Sequence, residues 1–255
     1  MHTVITNASQ EFAESQNSDG SWGTNSNRQL PTAFCLISLL RQGESRESEK
    51  CGNSIANAHA WLMTSQPKTD PERVATAIAL SDYITVHYRW HDLDEKAEVP
   101  AGQIQKIRDC VHAISPQCGE MWRDLLNLSR LPKEIGRGLD GNTIRATLGK
   151  YLDGEPDGSP STLADYLLLH LTSSARFHRG GQKWSDWNRH FAPMLVRAQD
   201  ADGLMPCKPP EDRIAATGLS VMSLTIYYIF SPNFSARAWP VTSKVEGEDI
   251  KIEIK

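Results

Sequence analysis

The feature that most constrains the fold of this chain is a repeated sequence motif, in which a predicted helix is followed by a Gln and then by an Asp-Gly turn. It occurs as QNSDGSWG at residues 16–23 and, less completely, as AQDADGLMP at residues 198–206. Asp-Gly favours a tight turn because glycine tolerates positive φ and the Asp side chain bonds to nearby backbone. Two degenerate copies lack the Asp-Gly pair but keep a Gln after a helical run, at Gln66 and Gln117. The glutamines of the first three copies lie about 50 residues apart, a period typical of stacked helical repeats.

A second kind of helix follows three of these runs. The stretches TAFCLISLL from Thr32, TAIALSDYI from Thr76 and ATGLSVMSLTIYYIF from Ala216 begin with small residues and are then largely apolar. A helix that is apolar on all sides is a buried helix. The repeat unit is therefore predicted to be a hairpin, with an amphipathic outer helix, a turn that carries Gln, Asp-Gly and Trp, and a buried inner helix.

These hairpins predict an all-α fold. Outer helices are predicted near residues 5–15, 50–65, 101–115 and 182–198, and inner helices near residues 31–42, 72–88, 160–178 and 213–230. Residues 120–161 mix helical runs with turn-forming stretches and are interpreted as a fifth, degraded hairpin. One helical domain is expected over residues 1–235, followed by a tail at 236–255 whose last residues alternate like a short β-strand.

Composition narrows the class of protein. The chain has no run of 18 apolar residues, so no transmembrane segment is expected, and its first residues lack the basic and apolar regions of a signal peptide. Its five cysteines are odd in number and form no CxxC pair, which favours a reduced, cytoplasmic protein. The formal net charge is −4, so the composition shows no excess of positive charge that would indicate nucleic-acid binding.

The repeat phrase and the inner helices that begin with small residues resemble the repeats of squalene and hopene cyclases and protein prenyltransferases. The stretch FHRGGQKWSDWNRHFAPMLVRAQDADG and the following RIAATGLSVMSLTIYYIF are similar to the terminal repeats of large bacterial proteins with squalene-cyclase-type repeats. The resemblance covers residues 12–232. It implies an α/α toroid, which is a ring of inner helices surrounded by antiparallel outer helices, with about five hairpins.

The resemblance also implies a role for the turn residues. In that family the Gln side chain is expected to bond the ends of neighbouring helices while the Trp stacks on it, which ties one hairpin to the next. Maintenance of the fold, and no catalytic role, is therefore the expectation for the repeat residues Gln16, Asp19, Gly20, Trp22, Gln199, Asp202 and Gly203.

The candidate catalytic residues are Asp92, Asp94 and Glu95, within HDLDEKAEV. By resemblance, a class II terpene cyclase protonates an alkene or epoxide with the middle acid of an Asp-x-Asp-Asp motif, and Asp94 would hold that position. The match is incomplete, because Glu95 replaces the last Asp and the segment follows an inner helix instead of lying near the start of one. A solvated, charge-rich linker is the preferred interpretation, and an active cyclase that uses Asp94 is the alternative.

Other chemistries lack their motifs. The zinc site of the prenyltransferases needs an Asp-x-Cys pair that this chain does not have, and His59, His112 and His170 are interpreted as core or interface residues. No metal and no cofactor are predicted. A polysaccharide lyase on a similar helical barrel is a third, less favoured interpretation, since no acidic and aromatic groove motif accompanies the repeats. We therefore expect a protein that binds an apolar, isoprenoid-like ligand or a protein partner.

Overall fold

A computed structural model of the chain describes residues 2–24, 26–89, 98–135, 141–154 and 158–226. These residues form ten α-helices and no sheet, which confirms the all-α prediction. An isolated bridge joins Thr24 to Asn27 within the first turn. The predicted β-like tail at 236–255 lies outside the described residues.

The ten helices fall into two sets that alternate along the chain. The odd-numbered helices, called flanking helices below, are α1 (His2–Glu14), α3 (Gly52–Thr64), α5 (Ala101–His112), α7 (Gly141–Gly149) and α9 (Gly181–Ala198). The even-numbered helices, called core helices, are α2 (Gln29–Arg41), α4 (Asp70–Ile84), α6 (Glu120–Asn127), α8 (Leu163–Arg179) and α10 (Arg213–Leu224). Helices predicted outside residues 120–161 begin within a few residues of their expected starts.

The core helices contact one another in a closed cycle. Helix α2 packs on α4, α4 on α6, α6 on α8, α8 on α10, and α10 packs back on α2. Each flanking helix packs against at least one core helix, for example α1 on α10, α3 on α2 and α4, and α9 on α8. Residues 120–161 supply α6, which belongs to the cycle, and α7, which packs on α6 and α8.

Local sequence explains where two core helices begin. Thr69 accepts a hydrogen bond from the backbone of Glu72, whose side chain bonds back to the Thr69 backbone, and this capping box starts α4. Thr162 and Asp165 form the same reciprocal pair at the start of α8. Since the first backbone N–H groups of a helix have no partner within it, these boxes fix the start of each helix.

Two of the core helices, α2 and α4, are covered on every side along most of their length. In α2, each residue from Thr32 to Leu40 exposes at most 1% of its surface, and residues 74–80 of α4 expose 0%. Both runs are about two helical turns long, so the covered surface includes the face turned towards the other core helices. At the contact of α10 with α2, a Cβ added to Gly218 would lie 2.8 Å from the Cβ of Phe34. The absence of a side chain at Gly218 therefore allows α10 to pack closely on α2.

Candidate functional site

The turn after α1 joins the first hairpin to the second. The Nε2 of Gln16 donates to the carbonyl of Gly20 within the turn and to that of Ser54 in the first turn of α3, both at 2.9 Å. Asp19 accepts from the backbone and the hydroxyl of Ser21 at 3.1 and 2.7 Å, as in an Asx turn. Gly20 has φ of +89°, and a Cβ there would lie 2.6 Å from the carbonyl oxygen of Asn57 on α3. The turn therefore requires glycine both for its backbone angle and for its approach to the next hairpin.

Trp22 fills the space beneath this turn. Its side chain is fully buried, and its Nε1 donates to the carbonyl of Phe12 at 2.7 Å. Its backbone N–H donates to Oγ1 of Thr32 at 2.8 Å, and its ring meets that of Phe12 edge to face with centroids 6.5 Å apart. The indole thus holds the end of α1 against the start of α2.

The turn after α9 repeats this arrangement at the other end of the chain. The Nε2 of Gln199 donates to Gly203 within the turn at 2.7 Å and to the carbonyl of Val4 in α1 at 3.1 Å. Asp202 accepts from the backbone of Leu204 at 3.1 Å, and Gly203 has φ of +80°. The same kind of bond that joins the first hairpin to the second therefore joins the last hairpin to the first.

The position equivalent to Trp22 is held by Met205 in this last turn. Its backbone N–H donates to Oγ1 of Thr217 at 2.8 Å, as that of Trp22 does to Thr32. Met205 is also fully buried. Both threonines lie among small residues in the first half of a core helix. The hydrogen bond from the turn backbone to the threonine hydroxyl is therefore a further feature that the two copies of the repeat share.

The bond from Gln199 to α1 should contribute measurably to stability. Replacing Gln199 with Leu leaves the carbonyls of Val4 and Gly203 without this donor, and we expect the free energy of unfolding to fall by about 1 to 2 kcal/mol. Urea unfolding followed by circular dichroism measures this change. Replacing Gln66, which is exposed, with Leu is the matched control and should change stability by less than about 0.5 kcal/mol. Equal effects of the two substitutions would contradict a special role for Gln199.

The middle copies of the repeat use other contacts. Next to Gln66, the carbonyl of Ser65 accepts a hydrogen bond from Lys106 of α5, so a donor on the next flanking helix reaches back to the turn. Gln117 bonds locally with Ser115. Sequence reasoning aligned these glutamines by the helical runs before them and by their spacing. The contact at the second turn instead passes through Lys106, which the repeat pattern did not single out.

The acids proposed for catalysis, Asp92, Asp94 and Glu95, lie outside the described residues. Of the three histidines interpreted as core or interface residues, His170 is buried in α8 and His59 is half-buried against the ring of Tyr83, with centroids 3.8 Å apart. His112 is exposed at the end of α5, so it is not a core residue. Its helical neighbours in sequence gave no sign that this position faces outwards.

A group of buried and half-buried ionisable side chains, called the carboxyl-end cluster below, comes from the carboxyl ends of α2, α4 and α6 and from the middle of α8. It consists of Arg41, Asp82, Arg130 and His170. The Nε of Arg41, the last residue of α2, lies 2.8 Å from Oδ2 of Asp82 on α4, and the two side chains are 9% and 14% exposed. Arg130, shortly after α6, is close enough to Asp82 and Arg41 for their charges to affect its pKa, which burial lowers. A positive charge is also favoured at the carboxyl end of a helix by the helix dipole.

His170 brings α8 and α10 to the same cluster. Its Nδ1 lies 3.3 Å from Oγ of Ser223, and that hydroxyl donates its own proton to the carbonyl of Leu219 at 2.9 Å. Ser223 can therefore only accept from the ring, which places the imidazole proton on Nδ1 and leaves Nε2 as an acceptor. Burial, and next the charge of Arg41, lower the pKa of His170 to about 3, so the ring is neutral near pH 7.

Sequence reasoning missed this cluster, although three of its four members leave a trace. Arg41 ends the apolar run TAFCLISLLR, Asp82 interrupts TAIALSDYI, and His170 interrupts YLLLHLT. A charged or titratable residue inside an otherwise apolar helix is costly to bury without a partner. Such interruptions could have been noted as candidates, but their partners lie on other helices.

A second polar group lies beside α4. The ring of Tyr83 stacks on that of His59 and meets that of His87 at a tilt, with centroid distances of 3.8 and 4.2 Å. His87 belongs to the π-helical turn Thr85–Arg89, and its Nδ1 lies 3.8 Å from Oε2 of Glu47. The hydrogen bond from Arg46 is the main cause that lowers the pKa of Glu47 to about 2. The contact of Glu47 with His87 therefore joins the loop after α2 to the second hairpin.

The described residues offer neither a metal site nor a membrane span. No group of three His, Cys, Asp or Glu side chains in them could hold a metal ion, and none of their helices is both long and apolar enough to cross a bilayer. All five cysteines are buried and free. A scan against protein-family models finds no match to this chain, and a search of curated proteins finds none either.

Proposed function

We propose that this chain is an α/α toroid of the squalene-cyclase and prenyltransferase type that acts by binding a protein partner and not by catalysis. Two observations support the toroid. The core helices contact each other in a closed cycle, and the bond from Gln199 to α1 has the same form as that from Gln16 to α3. Equivalent contacts between successive units are the defining property of repeat architectures.

One observation favours a protein partner over an apolar ligand. A polyene or isoprenoid substrate would have to lie in a cavity inside the toroid. The residues that line such a cavity would be accessible to water when it is empty. Residues 32–40 of α2 and 74–80 of α4 are accessible to 1% or less. Side chains from neighbouring helices therefore fill the space around α2 and α4, as is usual for close-packed interiors, which leaves no room for a C15 or larger chain beside these two helices.

The flanking helices offer the surface for a partner. Repeat proteins bind their partners through surfaces that successive units present together. On α9 the outer face carries mixed charge, with Arg189 paired to Asp186 and Lys183 paired to Asp153 at 2.7 Å. A polar face of this kind suits a partner that associates reversibly in water.

An assay with polyene substrates tests the proposal. Purified protein should leave squalene and geranylgeranyl diphosphate unchanged, and native mass spectrometry should find neither of them bound. The variant Asp94→Asn should behave identically. If no polyene binds, Asp94 protonates no substrate, and removing its acid group changes nothing. A cyclic product that Asp94→Asn abolishes would overturn the proposal in favour of a class II terpene cyclase.

A further inference from the structure

The outer face of α3 carries no charge. Of the ten α-helices that the structure describes, α3 alone contains no Asp, Glu, Lys or Arg, although one side of this flanking helix faces water. Its exposed residues follow one another at helical spacing and are called the α3 stripe below: Asn53, Ala56, Asn57, Ala60 and Thr64. Half-buried Trp61 and Met63 border the stripe on its two sides. Depletion of charge, with Trp and Met nearby, is the composition found at the centre of protein interfaces.

The amides of the α3 stripe lack the pairing that other flanking helices have on their exposed faces. Such i,i+4 pairs stabilise a helix face that lies in water. On α1, α5 and α9, an exposed Gln donates to an acid four residues later, at 2.9, 2.6 and 2.7 Å respectively: Gln10 to Glu14, Gln105 to Asp109 and Gln182 to Asp186. The side-chain amides of Asn53 and Asn57 make no hydrogen bond to any described residue. Since Asn is also a weak helix former, these positions gain nothing for α3 itself and leave two amides for a partner.

A second copy of the same chain is the partner that the α3 stripe fits. In a contact related by a two-fold axis, residues near the axis meet their own copies, so a charged residue there would meet a like charge. A stripe without charge avoids this repulsion. The amide of an Asn carries both donors and an acceptor, so it is able to pair with an identical amide. The small side chains of Ala56 and Ala60 allow the axes of two helices to approach closely.

We propose that two copies of this chain associate through their α3 helices, packed antiparallel about a two-fold axis near the middle of the α3 stripe. Asn53 of one copy then lies opposite Thr64 of the other. Antiparallel packing also sets the dipoles of the two helices in opposite directions, which is favourable. The turn beside the stripe carries Asp19 and Arg28, whose charges cancel in an exposed pair at 2.9 Å. The rim on that side therefore adds no repulsion.

The dimer should be weak and reversible. Helix α3 has 13 residues and is therefore about 20 Å long, so two such helices bury less than the roughly 1,200 Å² of the smallest stable interfaces. A dissociation constant of about 1 to 100 μM is expected for a contact of this size. The dimer does not depend on the function proposed above, because the stripe points away from the side of α3 that is buried against the core helices.

Sedimentation velocity of the full chain tests the dimer. Between about 1 and 500 μM, the wild-type protein should change from monomer to dimer. Ala60→Glu should weaken dimerisation about tenfold or more, because two carboxylates then meet near the axis. Since Ala and Glu both favour helices, this variant should fold. Ala146→Glu is the control, because it adds the same charge at an exposed position of α7 and should dimerise as the wild type does. A monomer at every concentration, or a dimer that Ala60→Glu leaves unchanged, would overturn the proposal.

Opposite charges at the same position test the two-fold axis itself. Ala60→Lys alone should also be monomeric, whereas an equimolar mixture of Ala60→Glu and Ala60→Lys should form a dimer of one copy of each, because opposite charges then meet across the axis. A head-to-tail contact between α3 and a different surface would give species larger than a dimer and no rescue in the mixture, and this would refute the proposal. A stripe that serves a different protein would leave every form of the purified chain monomeric, which would refute it equally.

Discussion

Replacing Trp22 with Ala is expected to lower the free energy of unfolding by about 3 to 5 kcal/mol, the range for removing a large aromatic side chain from a packed core. The side chain is fully buried, so truncation leaves a cavity between α1 and α2. It also removes the Nε1 donor, which leaves the carbonyl of Phe12 without this hydrogen bond. Both effects act on the contact that holds the first hairpin together.

Urea unfolding of the purified variant, followed by far-UV circular dichroism, measures the loss. Trp22→Phe is the matched control, since it keeps an aromatic ring against Phe12 but has no donor, and we expect a smaller loss of about 1 to 2 kcal/mol. A loss within about 0.5 kcal/mol for Trp22→Ala would mean that the indole is exposed in solution and would contradict the packing described above.

Much of the fold could be predicted because its information is local. The apolar run after Thr32 predicts a helix covered on all sides, and α2 is buried in this way. The Asp-Gly pairs predict turns, and Gly20 and Gly203 have the positive φ that such turns require. Periodicity and turn chemistry act over a few residues, so sequence alone reveals them.

The links between hairpins could be predicted only where the repeat is intact. Gln16 and Gln199 bond to the flanking helix of the next hairpin, which is what the resemblance implies for them. At the second hairpin the contact passes from Lys106 to Ser65, and no spacing rule identifies it. A lysine on a helix is usually interpreted as solvated, and only the packing of α5 against α4 brings this one to the turn.

The carboxyl-end cluster could not be predicted for a related reason. Arg41 and His170 are separated by about half of the chain, and the charge of Arg41 affects the pKa of His170 only because their helices belong to the same cycle of contacts. The cost of burying Arg41 is met in part by Asp82, which lies on a different helix. Pairing of this kind depends on the register of helices in three dimensions, and sequence periodicity carries no information about it.

The contact of α10 with α2 should be sensitive to added volume. A Cβ on Gly218 would lie 2.8 Å from the Cβ of Phe34 and 2.9 Å from its carbonyl carbon and oxygen. Because backbone atoms cannot move aside as a flexible side chain can, the helices must separate. We expect Gly218→Ala to lower the free energy of unfolding by about 2 to 3 kcal/mol, although alanine favours a helix.

Gly102→Ala provides the control for this prediction. Gly102 also lies in a helix, but a Cβ added there would meet no atom within 4 Å. Alanine should therefore raise stability at this position by up to about 1 kcal/mol, since glycine has the larger conformational entropy to lose on folding. The two substitutions add the same methyl group and should have opposite signs in urea unfolding. A gain at Gly218 would mean that α10 and α2 are not in close contact, and the cycle of core helices would be open between them.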